Sequence, residues 1–80
     1  MKLKQFERRE GYWFVLTFEN DDVREVNLHG LIGQHVGVDS LFTARIDPEW
    51  ECLEFLDGTV DIEPKTLYRY ACAFEEKQAA

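Results

Sequence analysis

The chain reads as a small α+β domain, mostly antiparallel strands with a short connector helix and a C-terminal helix. Three observations predict this class. The first half carries alternating apolar runs separated by turn-forming residues. Later, the Asp57-Gly58 dipeptide lies between two further apolar runs and is the strongest short-range turn signal in the chain. After Pro64, Leu67, Tyr70, Ala71 and Phe74 recur at helical spacing. Eighty residues suit a single domain spanning 1–80, which buries only roughly 60% of its unfolded surface. A hydrophobic content of 45%, with 14% aromatic residues, supplies one packed core and argues against global disorder.

The elements follow in order. "KLKQFE" alternates from Leu3, although Gln5 and Phe6 break the pattern. Beyond Gly11, "YWFVLTFE" is dense in aromatic and β-branched residues, the composition of a half-buried pleated surface. Period-two alternation puts Tyr12, Phe14, Leu16 and Phe18 on one face and Trp13, Val15 and Thr17 on the other. "ENDD" tolerates turn dihedrals, and "VREVNL" returns as a third strand, completing a three-stranded meander. "HGLIGQHVGVDSLF" holds Gly30, Gly33 and Gly37, so an irregular connector with one or two helical turns is expected, with Asp39 or Ser40 as a cap. "TARID" and "ECLEFL" form a second strand pair. The first stops at Asp47-Pro48, because a residue before proline avoids helical dihedrals. Leu53 and Phe55 share one face of the second; Cys52 and Leu56 share the other. "TVDI" continues as a short strand. Pro64 suits the first helical position, where its missing N–H is no loss. Glu75 and Glu76 oppose the helix dipole, so residues 75–80 are expected to fray.

Charge and composition exclude several functions. The net charge is −7, and Lys2, Lys4, Arg8 and Arg9 outnumber Glu7 among the first nine residues. The rest of the chain is therefore strongly acidic, which repels phosphate backbones and argues against direct nucleic-acid binding. A basic protein partner suits this field. Lys and Arg in the first strand also discourage edge-to-edge aggregation. No apolar run approaches the roughly 20 residues of a membrane helix, and "MKLKQFERREG" lacks the apolar segment of a signal peptide. Cys52 and Cys72, with no C-x-x-C spacing, read as two ordinary thiols of a cytoplasmic protein.

Reactive residue types do not assemble into a catalytic, cofactor-binding or metal motif. Asp57, Asp61 and Glu63 crowd one segment, but a calcium loop needs alternating acids with a sixth-position glycine and a terminal bidentate Glu. Val60 and Ile62 interrupt that pattern as core residues. Asp57 is thus assigned to a turn and Asp61 to local backbone N–H groups, so Asp61→Ala is expected to impair folding. His29 and His35 are six apart, which is neither a helical pair nor a zinc spacing. Ser40, the one serine, lacks a nucleophile-elbow context. The glycines after the third strand match neither phosphate-loop pattern.

Large rings are plentiful for so small a core. Trp13, Trp50 and Tyr70 form the candidate interaction surface, since Trp and Tyr are enriched at interface hot spots.

One segment carries more than local structure. The pattern F-L-D-G-T-V-D-I-E-P-K-T-L-Y, with Phe55, Asp57, Gly58, Asp61, Ile62, Pro64, Leu67 and Tyr68 in place, resembles the signature of the bacterial domain of unknown function family 2442. The upstream strand pair and the Leu41-Phe42 linker agree in order, so the resemblance runs from about Leu3 to Tyr68. Departures are Phe55 where Trp is common, Asn27 where Asp is common, and the glycine-rich connector. The resemblance implies an α+β fold and bacterial origin, and no catalytic residues. Some relatives of that family carry a helix-turn-helix or lie beside small partner proteins. The reading is a non-catalytic interaction module that binds another protein, either a basic neighbour-gene product or a second copy of itself. The alternative is an antitoxin-like accessory domain in a transcriptional complex; an enzyme ranks third.

Overall fold

In the computed structural model, the backbone is described for residues 1–79 and the side chains for residues 1–74. Leu3–Arg8 (β1), Trp13–Phe18 (β2) and Val23–Asn27 (β3) form an antiparallel sheet in the order β1-β2-β3, the expected meander. Phe14, Leu16 and Phe18 are fully buried, as the alternation of β2 predicts. The broken pattern of β1 has a definite cause. Leu3 pairs with Phe18 but Gln5 pairs with Thr17, so the strand carries a bulge between them. One extra residue reverses the parity of the side chains that follow. Leu3 and Phe6, three positions apart, can thus both pack against the same core.

The β2–β3 turn is built from its own side chains. The Asn20 carboxamide oxygen accepts a hydrogen bond from the Asp22 N–H at 3.0 Å. Asp21 adopts a left-handed φ of 65°, a conformation that Asn and Asp tolerate better than most residues.

His29–Ile32 forms the short connector helix (α1), and Val38–Thr43 forms a 3-10 helix. Its N-cap is Gly37, without a side-chain capping bond, rather than the expected Asp39 or Ser40. Leu41 is buried inward while Phe42 is 79% exposed. Arg45–Ile46 (β4), Leu53–Phe55 (β5) and Val60–Ile62 (β6) make a second antiparallel sheet in that order. It therefore has three strands rather than a pair, because "TVDI" joins the edge of β5. The Asp57-Gly58 turn occupies a four-residue connection, with Leu56, Asp57 and Gly58 all left-handed at φ 55°, 54° and 85°.

Pro64–Ala79 is the C-terminal helix (α2), beginning at the proline as expected, and it packs chiefly on β3. Leu67 and Ala71 are fully buried. Where fraying is expected, over 75–80, the helix continues to Ala79, and residue 80 lies outside the described residues. A single core joins both sheets and the helices, with Phe14, Val26, Leu53, Phe55, Ile62 and Leu67 among its members.

Candidate functional site

The segment from Phe55 to Tyr68 divides between structure and surface. Phe55 is fully buried and meets Phe14 edge-on, with ring centroids 6.1 Å apart. Gly58 has no alternative residue of equal ease: its φ is positive, and an added Cβ would lie 3.2 Å from Glu54 Oε2. Pro64 starts α2 and Leu67 anchors it. Tyr68 clasps the helix to the β2–β3 turn. Its hydroxyl donates to Asp22 Oδ2 at 2.8 Å, and its ring stands edge-on to Phe18 at 4.7 Å. Arg24 donates to both oxygens of the same carboxylate, at 3.1 to 3.2 Å. The Arg24 bond first, and the Tyr68 bond second, hold the Asp22 carboxyl below its ordinary pKa of 3.8. Asp22 in turn pushes the Tyr68 hydroxyl upward.

Asp61 departs from expectation. It is exposed, and among the described residues no hydrogen bond or ion pair engages its side chain. The alternation of β6 turns Val60 and Ile62 toward the core, so Asp61 faces away from it.

The candidate interaction residues also differ from one another. Trp50 is 70% exposed, on the loop between β4 and β5. Trp13 is half as exposed and packs edge-on against Phe74 of α2 at 5.6 Å. Tyr70 is partly buried and donates its hydroxyl to the Asn27 carbonyl at 2.7 Å. An added Cβ on Gly30 would meet that hydroxyl at 2.9 Å, so α1 needs a glycine where the tyrosine crosses it. Burial raises the Tyr70 pKa. Tyr12 likewise donates inward, to the Val36 carbonyl at 2.6 Å. The tyrosines thus serve the fold, and Trp50 carries the exposure, joined by Phe42. Phe42 was missed because its neighbour Leu41 fills the core, and a 3-10 turn cannot bury two adjacent side chains on one face.

His29 and His35 do come together, lining a hollow of about 280 Å³ with Gln34, and Ser40 does not line it. His29 is engaged by an edge-on contact with Tyr12 at 4.9 Å. Ser40 sits inside the 3-10 helix, where its carbonyl accepts the Thr43 hydroxyl at 2.6 Å.

A second hollow, of about 320 Å³, opens beside Trp50 and is lined by Asp47, Cys52, Asp61, Glu63 and Pro64. The hairpin between β4 and β5 builds it. Asp47 Oδ1 accepts the N–H groups of Glu49 at 2.7 Å and Trp50 at 3.0 Å, folding the loop back on itself. These two bonds hold the Asp47 carboxyl below its ordinary pKa. The Asp47 N–H donates to the Cys52 carbonyl at 2.9 Å, which aligns the two residues across the hairpin. Beneath them Glu54, the buried charged residue of the described chain, pairs with Arg45. Burial first, then the carboxylates of Asp61, Asp47 and Glu54, raise the pKa of the Cys52 thiol. Sequence reading placed Leu53 and Phe55 on one face, which puts Cys52 and Glu54 together on the other. The missing step was the loop that returns Asp47 to them. Both cysteines are free thiols, and among the described residues no helix is long and apolar enough to cross a membrane.

Comparison with protein-family models, curated proteins and solved structures returns no match for this chain.

Proposed function

We propose that this chain is a non-catalytic interaction module for a basic protein partner, with Phe42 and Trp50 as its apolar contacts. The resemblance of its "DGTVDIEPKTLY" segment to the domain of unknown function family 2442 belongs to the same proposal. The observation that carries it is the exposure of two large rings, 79% for Phe42 and 70% for Trp50, on a chain of net charge −7. Exposed aromatics on a soluble surface are contact anchors, and the acidic field selects the sign of the partner. The remaining rings support the reading differently, because Tyr12, Tyr68 and Tyr70 have their hydroxyls committed within the fold.

Co-expression with the product of the adjacent gene tests this. The expected result is a complex that survives gel filtration and weakens as salt rises. A monomeric chain that binds no neighbour overturns the proposal.

A further inference from the structure

The hairpin between β4 and β5 gathers three candidate ligands at one point. Asp47, Cys52 and Glu54 each place a ligand atom within 4.8 Å of the other two. This is a mixed thiol and carboxylate set, and two of its members are withdrawn from solvent. Cys52 is 8% exposed, and among the described residues no bond from another residue engages its thiol. It lines the acid-walled hollow beside Trp50, so the buried thiol adjoins an opening to solvent. Asp47 is already oriented by its two loop N–H bonds, and Glu54 by Arg45. A carboxylate fixed by a neighbour on one oxygen is a pre-positioned ligand through its remaining lone pairs.

We propose that Asp47, Cys52 and Glu54 bind a thiophilic divalent cation of the zinc class. Zinc accepts sulfur and carboxylate oxygen together, and three protein ligands leave a fourth position facing the hollow. A water molecule would complete the coordination there, beside Asp61, which lines the hollow. Calcium and magnesium demand sets of six or more oxygens, which three residues including a thiol do not supply. Binding replaces the S–H bond of Cys52 by an S–metal bond, and the proton passes to buffer. Arg45 pairs with Glu54 of the set. Its charge opposes the metal while its bond to Glu54 orients the ligand.

The site adjoins Trp50 of the proposed partner surface, and the test keeps the two apart. The purified, metal-free chain is titrated with cadmium, followed by the sulfur-to-metal charge-transfer absorption, and with zinc by calorimetry. The expected result is one ion per chain, a thiolate band, a proton release seen as a buffer-dependent heat, and a raised melting temperature. Cys52→Ser abolishes the band, while Cys72→Ser leaves it intact. Asp47→Asn keeps an oxygen for the two loop N–H groups and removes the ligand charge. It is expected to weaken zinc by about tenfold or more, while the metal-free protein stays folded and melts slightly lower because the two N–H groups lose their charged acceptor. Trp50→Ala leaves the cadmium band in place whether or not partner binding survives. A folded wild-type chain that gives no thiolate band overturns the proposal, as does a band that persists in Cys52→Ser or an Asp47→Asn variant of unchanged affinity.

Discussion

Tyr68 and Asp22 show how a residue pair far apart in sequence, 46 positions, holds two elements in register. The Asp22 carboxyl has a lowered pKa in the folded chain and an ordinary one when unfolded. Its ionised form therefore stabilises the fold above about pH 4. That contribution is lost as pH falls from the unfolded value through the folded one. Urea midpoints measured at about pH 5 and about pH 3 should fall with acid, and Asp22→Asn should flatten that fall while lowering the midpoint at the higher pH. Tyr68→Phe should reduce the midpoint at both. At Asp61 the outcome reverses the sequence expectation. With its side chain exposed and unbonded among the described residues, Asp61→Ala should change stability by no more than about 0.5 kcal/mol. Gly58→Ala should cost about 1–2 kcal/mol, because the left-handed backbone and the approach to Glu54 both oppose a Cβ. Thermal melts of these two variants separate the turn's glycine from the neighbouring acid. Asp61 was misread because spacing identifies turn residues but says nothing of which N–H groups remain unpaired once β6 has joined β5.

Elements were legible where side-chain period was unambiguous. β2 and the α2 face built on Leu67 and Ala71 follow directly from periods of two and 3.6. β1 resisted because its bulge changes parity within six residues, and no local residue type announces that change. The connection after β5 looked like a two-residue Asp-Gly hairpin. Leu56 also turns left-handed there, so the chain closes with four residues. Element packing yields its own prediction. Leu67 lies at the core side of α2, and Leu67→Ala should cost about 2–5 kcal/mol. Against a domain stability of about 5–15 kcal/mol, this substitution should leave a large unfolded fraction by circular dichroism at modest urea. The β4–β5 pair is asymmetric as well. Arg45 is exposed and Glu54 is buried, so removing the arginine strands a carboxylate away from water, whereas removing the carboxylate leaves a hydrated guanidinium. Arg45→Met should consequently destabilise more than Glu54→Gln in paired urea melts.

At the scale of the whole molecule, two sheets and one long helix share a single core, and the segment from Phe55 to Tyr68 closes it. Phe55, Leu67 and Tyr68 bind the C-terminal third to the meander, so most of the "FLDGTVDIEPKTLYRYA" stretch specifies architecture. For the proposed partner, the contact is the surface this architecture leaves apolar. Sequence composition announced a surplus of rings but not which ones stay outside, because burial depends on where the loops carry them. Trp50 rides the β4–β5 loop outward, Trp13 is partly covered by Phe74, and Phe42 is turned out by the 3-10 helix. Charge acts at this same scale. On the proposed reading, a net −7 favours a basic partner and a salt-sensitive complex, without locating the contact. The direct measurement is calorimetric titration of the purified partner against the wild-type chain and the Phe42→Ser, Trp50→Ala double variant. The account predicts an affinity loss of about tenfold or more in the variant at an unchanged melting temperature, since exposed rings contribute to binding and little to the fold. Equal affinity for the two chains would contradict it.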